Sequence, residues 1–281
     1  MTSHDVVARV RRILGTRKVG HAGTLDPMAT GVLVLGIERA TKLLGHLALD
    51  RKAYLATVRL GSSTTTDDAE GDPVSSVDDD RLDPVGDQDI LTRIAALTGP
   101  LEQVPSAVSA VKIDGKRAYA RVRAGEQVII PPRPVQVYRF DLLHLRREPG
   151  AIDLDVLVEC SSGTYVRALA RDLGAALGVG GHLTALRRTM VGPFGLTQAS
   201  TLAGLEQDPV LSLDLDAAVA AAFPRRDVDQ GLAKALCHGQ RLPAAGIAGT
   251  YGVFDADGHA VALAVDDGQL ARPLVVLTPA G

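Results

Sequence analysis

The chain has 281 residues, of which 46% are hydrophobic and 3% aromatic, and its formal net charge at pH 7 is −3. This length fits one large domain, or one domain with a small appendage, and the composition is that of a globular protein with an aliphatic core. The sequence has no apolar run near the ~18 residues that span a membrane and no signal-peptide pattern, so we expect a cytoplasmic protein. It has no Cys-x-x-Cys motif, so we expect no zinc site, and we expect Cys160 and Cys237 to be small buried residues.

The charges are unevenly distributed along the sequence. Acidic residues crowd the region 67–89, whereas basic residues cluster at 9–18, at 112–133 and at Arg187 and Arg188. This asymmetry permits a basic groove for a nucleic acid on a protein whose net charge is acidic. It does not require one, because runs of charge are usually solvated surface.

The first predicted element is a helix over residues 3–14. Apolar residues recur there at helical spacing, Thr2 or Ser3 can cap the start of the helix, and Gly15 can end it.

The stretch at residues 20–31 reads Gly-His-Ala-Gly-Thr-Leu-Asp-Pro-Met-Ala-Thr-Gly. Its glycines indicate that the backbone approaches another group closely or adopts positive φ. Pro27 fixes its own φ and biases Asp26 toward extended backbone, so Asp26 is expected on an ordered turn ahead of a buried strand at 32–35. From this spacing alone, Asp26 is either a structural turn residue or part of a site.

Together with Glu-Arg-Ala-Thr-Lys at 38–42, this stretch closely resembles the catalytic motif of TruB-type tRNA pseudouridine synthases. The resemblance implies that Asp26 is the catalytic residue and that His21 fills the space vacated in the RNA loop, although a lone His is more often a surface or capping residue. The family places a strand and a Lys-Pro-x-Gly segment before the match to Thr-Ser-His-Asp at 2–5. Because the sequence begins inside that motif, we expect either a start codon assigned too late or a fold without this edge strand.

Five elements are predicted between residues 39 and 98. They are a helix over about 39–49, a strand at 54–61, a polar loop at 62–71, a mobile surface connection at 72–86 and an amphipathic helix at 87–98. Tyr54 resembles the family's aromatic residue that stacks on the target base, whereas by itself it would be a core tyrosine. The polar loop resembles the family segment Thr-x-Thr-x-Asp-Ala-x-Gly, in which Asp68 matches an active-site acid.

Residues 104–133 resemble the family insertion that acts as a thumb on the RNA. The predicted order of strand, turn at Asp114-Gly115 and basic helix agrees with that function. The family's Pro-Pro-x-Tyr-Ser-Ala appears here as Pro-Ser-Ala-Val-Ser-Ala at 105–110, so its Tyr is lost, together with any contact that it makes.

Two alternating strands are predicted at 135–145 and 152–160, followed by a strand-to-helix segment at 160–174. Arg167 lies near the start of this helix, where the helix dipole disfavours a cation. This unfavourable position suggests that Arg167 has a specific function. The segment resembles the family motif Ser-x-Gly-Thr-Tyr-x-Arg-x-Leu, and this implies that Arg167 pairs with Asp26 and that Tyr165 lies in the pocket. The following strand resembles a family strand in which Leu186 is a pocket-wall residue.

Short alternating strands and hairpin turns beyond about residue 224 predict a small β-rich module that resembles the C-terminal PUA-like domain of the family. We therefore divide the chain into a catalytic domain at 1–223, with a thumb insertion at about 104–133, and an RNA-binding domain at 224–281. The implied fold is of the α/β (α+β) class, with a catalytic domain built on a large, mainly antiparallel mixed sheet.

The resemblance implies isomerisation of the uridine at position 55 in the T-loop of tRNA. Breaking the N-glycosidic bond and rejoining the base through C5 needs an ionised carboxylate, but no metal and no other cofactor. Arg167 opposite Asp26 would keep that carboxylate charged, and Tyr54 and Tyr165 would stack on the extruded nucleotide. The expected partner is the T-arm of tRNA, and we expect a monomer with no membrane association and no obligate protein partner.

Two other functions stay open. A non-catalytic tRNA-binding or RNA-folding module would keep the basic groove and make Asp26 incidental. A phosphotransferase with Asp26 as its nucleophile would need a second carboxylate for Mg²⁺ and a phosphate cradle, and the residues around Asp26 offer neither. An assay of pseudouridine formation on unmodified tRNA without added metal distinguishes the three.

Overall fold

The computed structural model describes residues 1–47, 49–106, 112–113, 116–117 and 130–278. The chain forms two compact units, one made of Met1–Pro27, Val32–Leu49 and Gly192–Gly281 and the other of Met28–Gly31 and Asp50–Val191. The first unit is therefore assembled from distant parts of the sequence. The predicted boundary between residues 223 and 224 divides the chain differently and stays a prediction.

The helices and strands are named here in chain order. The helices are α1 (Ser3–Ile13), α2 (Asp79–Leu82), α3 (Asp87–Ala96), α4 (Val166–Leu177), α5 (Leu202–Gln207), α6 (Leu215–Ala222) and α7 (Gln230–Cys237), with 3-10 helices at Glu38–Leu43 and Leu196–Gln198. The strands are β1 (Val19–Ala22), β2 (Thr30–Gly31), β3 (Val34–Ile37), β4 (Arg51–Leu60), β5 (Ser62–Thr64), β6 (Pro73–Ser76), β7 (Gly99–Gln103), β8 (Lys112–Ile113), β9 (Lys116–Arg117), β10 (Arg133–Glu148), β11 (Ala151–Ser161), β12 (Gly181–Val191), β13 (Phe194–Gly195), β14 (Arg225–Asp227), β15 (Leu242–Pro243), β16 (Thr250–Phe254), β17 (Ala260–Asp267) and β18 (Leu270–Val276).

The second unit is built on a large sheet in the order β12-β4-β11-β10-β7, in which neighbouring strands are antiparallel. Strand β2 adds to it by running parallel to β12. Alternate residues such as Val58 and Leu154 face a core that residues of α3 and α4 complete. The opposite face carries cross-strand ion pairs, of which Arg59–Asp153 at 2.7 Å is one. This division into an apolar and a polar face is typical of an antiparallel sheet that is covered on one side.

The first unit contains a five-stranded sheet in the order β14-β16-β17-β18-β15. Successive residues of β16 belong to different hydrophobic clusters. Val253 packs with residues of α7, and Phe254 packs with residues of α6 and with Leu43. Helix α1 packs against β1 through Val7 and Val10. Its N-terminus carries the expected cap, since the side chain of Thr2 and that of Asp5 exchange hydrogen bonds with each other's main chain.

Three local predictions are wrong. The segment predicted as a helix over about 39–49 is a 3-10 helix of six residues, which begins at a residue with positive φ (Glu38, 52°) and ends before Gly45. The strand predicted at 32–35 has the wrong bounds, because β3 begins only at Val34 and ends at Ile37, and the buried Val32 lies between β2 and β3 in the sequence.

The third wrong prediction is the mobile connection at 72–86, whose start pairs with the start of the predicted polar loop as a β5–β6 hairpin. The connection also contains α2 and buries Leu82 and Val85 in the core. These two apolar residues stand in a run of Asp, Pro and Ser, so composition alone hides them.

The other predicted elements are present, including α1, α3, β4, β10, β11, α4, β12 and the C-terminal strands, whereas α5, α6 and α7 were not predicted. The predicted α/β (α+β) class, with its large antiparallel sheet and its β-rich C-terminal module, is confirmed. In the predicted thumb insertion, β8 and β9 pair as a hairpin, and residues 107–111, 114–115 and 118–129, with the expected basic helix, lie outside the described residues. Within the described ranges, no helix has the length and apolarity needed to cross a bilayer.

Candidate active site

Residues 20–27 of the glycine-rich stretch form a strand and an ordered turn in the first unit. His21 lies on β1, opposite β3, and Asp26 follows in the loop, where it is half-buried. The main-chain N–H of Leu25 donates to the Oγ of buried Ser3 at 3.0 Å, which ties the loop to the start of α1. Pro27 restricts the backbone on the other side of Asp26. The carboxylate is therefore presented from backbone that is held on both sides.

The glycine-rich motif ends at Gly31, which lies in the second unit, where the structure requires a glycine. Its φ is 97°, and a Cβ at this position would lie 2.1 Å from the main-chain oxygen of Arg188, on the strand that β2 joins. No other residue type tolerates both the positive φ and this close approach. The adjacent Met28 and Ala29 pack against the core of the second unit.

A buried ion pair lies at the start of α4. Arg167 follows Tyr165, which occupies the N-cap position, and its Nη1 lies 3.3 Å from Oδ2 of Asp68 and donates to the main-chain oxygen of Thr66 at 2.9 Å. Both charged side chains are only 5% exposed. The other oxygen of Asp68 accepts hydrogen bonds from the Thr66 hydroxyl, at 2.5 Å, and from the main chain of Glu70, at 3.1 Å. Asp68 thus has both of its oxygens engaged by groups of its own unit.

The loop that carries Asp68 is fixed against β12. Leu183 donates its main-chain N–H to the oxygen of Asp67 at 3.0 Å, and its own oxygen accepts from the N–H of Ala69 at 2.8 Å. Asp67 adopts a positive φ of 59°, which is uncommon for a residue other than glycine but is tolerated best by Asp and Asn. The backbone turn directs Asp68 inward to Arg167.

Arg171, one turn after Arg167, joins three further groups. It donates to Oδ2 of Asp67 at 3.2 Å, to Oδ1 of Asp172 at 2.9 Å and to the main-chain oxygen of Val104 at 2.8 Å. Burial raises the pKa of the Asp172 carboxyl, and the charge of Arg171 opposes that shift. One helix therefore holds the 66–68 loop and the residue that follows β7.

The inner face of the sheet carries the predicted residues Tyr54 and Leu186, which are 7% and 6% exposed. Tyr54 on β4 is paired in register with Arg188 on β12. Arg188 is only 1% exposed, so this member of the basic pair Arg187 and Arg188 is not part of a solvated surface. Lys52, two residues before Tyr54, has a lowered pKa because it is desolvated by burial and repelled by Arg188.

The structure brings Arg167 and Asp68 into contact, and it places Tyr54, Tyr165 and Leu186 in the same unit as that pair. His21 and Asp26 belong to the other unit. The predicted pairing of Asp26 with Arg167 and the functional roles of all seven residues stay predictions.

Two of the buried polar residues, Arg188 and Gln103, neighbour the predicted residues Tyr54 and Tyr165 and were not predicted to be buried. Arg188 shares the inward-facing alternation of Leu186, so the period of two could have identified it. Gln103, which is 3% exposed and bonded to Tyr165, left no sign in the sequence pattern because its partner is 62 residues away.

Solved structures of similar fold are found among complexes that contain Cbf5. The chain is similar to a protein in the crystal structure of a Cbf5–Nop10–Gar1 complex, with a TM-score of 0.73 and 27% identity, over 99% of this chain and 82% of that one. A second match, in an archaeal box H/ACA sRNP Nop10–Cbf5 complex, has a TM-score of 0.70 and 25% identity, over 99% of this chain and 83% of the other.

Comparison of sequences gives closer relatives. The chain is 62% identical to tRNA pseudouridine synthase B of Nocardia farcinica and 58% identical to that of Rhodococcus jostii, in each case over 100% of this chain and 91% of the relative. Residues 11–166 match the family model described as TruB family pseudouridylate synthase (N terminal domain).

Two further family models account for the rest of the chain. Residues 167–218 match tRNA pseudouridylate synthase B C-terminal domain, and residues 223–278 match tRNA Pseudouridine synthase II, C terminal. Because these matches extend over nearly the whole sequence, the chain belongs to the TruB family of pseudouridylate synthases, isomerases that convert uridine to pseudouridine in tRNA.

Proposed function

We propose that the protein converts the uridine at position 55, in the T-loop of tRNA, and that the carboxylate of Asp26 reacts with the substrate. The contrast between the two aspartates singled out from the sequence supports this choice. Both oxygens of Asp68 are engaged by Arg167, Thr66 and Glu70, and the side chain is buried. Asp26 is half-buried on an ordered turn of the glycine-rich motif. A carboxylate that must approach a nucleotide is better placed on such a turn than in a filled interior.

The remaining predicted residues have complementary functions in this proposal. The target nucleotide must leave the stacked loop, and stacking on Tyr54 and Tyr165 would offset the cost of unstacking it. Leu186 would form an apolar wall for the uracil, and His21 would fill the space vacated in the loop. Arg167, oriented by Asp68, would supply positive charge to Asp26 when RNA is bound, because exclusion of water lowers the dielectric and strengthens their interaction.

The reaction needs no added component. Cleavage of the N-glycosidic bond and re-formation through C5 changes neither the oxidation state nor the atomic composition of the nucleotide. We propose that the protein acts in the cytoplasm as a monomer on the T-arm of tRNA, with residues 1–223 as the catalytic domain, including the thumb insertion at about 104–133, and residues 224–281 as an RNA-binding domain.

The test is substitution of Asp26 by Asn, which keeps the shape of the side chain and removes its charge. The purified variant is incubated with unmodified tRNA without added metal, and pseudouridine is mapped along the RNA. We expect the parent to modify position 55 and the variant to give only background, because the reaction requires the carboxylate itself. Binding of tRNA should be retained, since affinity comes mainly from phosphate contacts and stacking.

Asp257→Asn is the matched control, because Asp257 is an exposed turn residue of the same unit. It should leave both binding and modification at the parental level. Multiple turnover by Asp26→Asn, with deamidation back to Asp excluded by mass spectrometry, would refute the proposed chemistry. If the parent binds tRNA and modifies no uridine, the alternative of a non-catalytic tRNA-binding module is correct for this chain.

A further inference from the structure

Gln103 occupies a junction in the second unit. It is the last residue of β7 and pairs in register with Arg133, the first residue of β10. The chain therefore leaves the sheet after Gln103 and rejoins it directly opposite. The side chain of Gln103 is among the few polar groups of this unit that are buried, with 3% of the residue exposed.

Both polar atoms of the Gln103 side chain bind the main chain of one residue. The N–H of Tyr165 donates to Oε1 at 2.8 Å, and Nε2 donates to the carbonyl oxygen of Tyr165 at 3.1 Å. The amide thus pairs with both main-chain groups of Tyr165, as a neighbouring strand would. A buried amide is costly unless both of its ends are paired, and here both are.

This clamp acts where the local sequence provides no cap. Tyr165 is the N-cap residue of α4, yet its side chain makes no capping hydrogen bond, and the first turn contains no acidic residue. An apolar side chain at position 103 could fill the same space, but it would not fix the orientation of the Tyr165 peptide groups. The amide restrains the peptide groups on both sides of Tyr165, together with the N–H of Leu169, which donates to the same carbonyl oxygen at 3.2 Å, and so restrains the direction in which the Tyr165 side chain leaves the backbone.

A second contact holds the same junction to the same helix. Arg171 donates to the main-chain oxygen of Val104, the residue after Gln103, at 2.8 Å. Two consecutive residues at the end of β7 are therefore bound to α4. The position of Tyr165 is set by the sheet through Gln103 rather than by the helix alone.

We propose that Gln103 is a positioning residue for pseudouridine formation, which acts by holding the main chain of Tyr165 so that the aromatic ring meets the extruded nucleotide. This inference rests on the proposed function of Tyr165 as a pocket residue. It predicts that loss of the clamp impairs the chemical step more than the binding of tRNA, since Gln103 is buried and its side chain binds the main chain of Tyr165.

The first experiment compares Gln103→Met with Gln136→Met. Gln136 is a half-buried residue of the neighbouring strand, and its amide nitrogen lies 3.5 Å from the adjacent main-chain oxygen of Val137. For Gln103→Met we expect the single-turnover rate at saturating tRNA to fall at least tenfold, the dissociation constant to change less than threefold, and the thermal midpoint to stay within a few degrees of that of Gln136→Met. Parental turnover, or a rate that falls only as far as tRNA binding does, would overturn the proposal.

A double-mutant cycle with Tyr165→Leu identifies the residue through which Gln103 acts. If Gln103 acts through Tyr165, then Gln103→Met will lower the rate less than twofold in the Tyr165→Leu background. If both substitutions lower the rate and their effects multiply, the positioning proposal is wrong while Tyr165 remains a pocket residue. If Tyr165→Leu is as active as the parent, the proposed function of Tyr165 fails, and the proposal for Gln103 fails with it.

Should Gln103→Met not reach the native state, Gln103→Asn replaces it in every arm. Asn keeps the amide and moves it by one methylene, so it fits the space but cannot pair with both main-chain groups of Tyr165. The same loss of single-turnover rate is expected, and a parental rate would again overturn the proposal.

Discussion

At the scale of single residues, the Asp68–Arg167 pair illustrates how burial changes the contribution of an ion pair to stability. In water such a pair contributes little, because solvent screens the charges and both side chains lose conformational freedom. Here each partner is 5% exposed, so removing one leaves the other charged in a poorly solvated interior. We infer that the pair orients Arg167 and that the protein depends on keeping both members.

This dependence can be measured by unfolding in denaturant. Asp68→Ala should lower the free energy of unfolding by about 3–5 kcal/mol, because it removes the carboxylate beside the buried Arg167 and the hydrogen-bond acceptor for Thr66 and Glu70. The matched control is Asp141→Ala, which breaks a pair with Arg139 whose side chains are 39% and 52% exposed. That control should cost less than about 1 kcal/mol. Equal losses in the two variants would show that the Asp68–Arg167 pair behaves like a surface pair.

Candidate site residues can be identified from the sequence where they belong to a contiguous motif. Asp26, Tyr165 and Arg167 were singled out because glycine, proline and aromatic neighbours surround them in a recognisable order. Gln103 was missed, because its function depends on a partner that only the fold brings near. The burial of Arg188 was missed for the opposite reason: its neighbour Arg187 suggested a surface cluster, although the strand alternation turns one of the two inward.

At the scale of elements, we expect the attachment of α6 to the five-stranded sheet to depend on pH. Nδ1 of His259, in the β16–β17 connection, lies 2.9 Å from Oδ2 of Asp216 on α6. The hydrogen bond and the charge of Asp216, helped by Asp255, raise the pKa of His259. The folded protein therefore binds this proton more tightly than the unfolded chain does. Its stabilising effect is fully present below the unfolded-state pKa of about 6.5 and is lost as the pH rises through the raised folded-state value.

The measurement compares the parent with His259→Asn in denaturant at pH 5.5 and at pH 8.5. We expect the parent to exceed the variant in unfolding midpoint at pH 5.5, and this advantage to shrink at pH 8.5. Because the imidazole is 67% exposed, the difference should also decrease in high salt. An advantage that is independent of pH, or that grows with pH, would mean that the Asp216 contact is not linked to protonation.

Elements were predicted well where periodicity and end signals agree. Helix α1 has both an apolar stripe and a capping pair, and β10 and β11 alternate around a Pro-Gly turn. The segments at 38–43 and 72–86 lack such agreement. Their conformations are decided by a few apolar side chains, Leu43 in one and Leu82 and Val85 in the other, which pack onto surfaces that the local sequence does not reveal.

At the scale of the whole molecule, an acidic protein must bind a polyanion. Several arginines are already engaged by carboxylates: Arg9 with Glu206, Arg51 with Glu159 and Arg59 with Asp153. Binding therefore depends on basic residues outside these pairs, and the exposed Arg17, beside the start of the glycine-rich stretch, is a candidate for a phosphate contact.

Salt titration of tRNA binding tests that assignment. The logarithm of the association constant for tRNA falls linearly with the logarithm of the salt concentration. Arg17→Ala should make this slope less steep by roughly 0.7–0.9, the change expected for one lost phosphate contact. Arg93→Ala is the control, because Arg93 is an exposed residue of α3 that follows the acidic region of the sequence. It should leave the slope unchanged. Equal slopes for all three proteins would remove Arg17 from the RNA interface.

The discontinuous first unit has a consequence for the order of events during synthesis. Its opening segments, which carry Asp26 and Leu43, leave the ribosome before residues 50–191, and they are completed only by residues 192–281. At roughly 5–20 residues per second, that interval lasts on the order of ten seconds. The second unit, apart from Met28–Gly31, is continuous and can fold during this time, whereas Leu43 has no Val219, Phe223 or Phe254 to pack against. A nascent chain that stops early therefore lacks more than an appended RNA-binding module, because the unit that holds the glycine-rich turn is among the last parts of the protein to be completed.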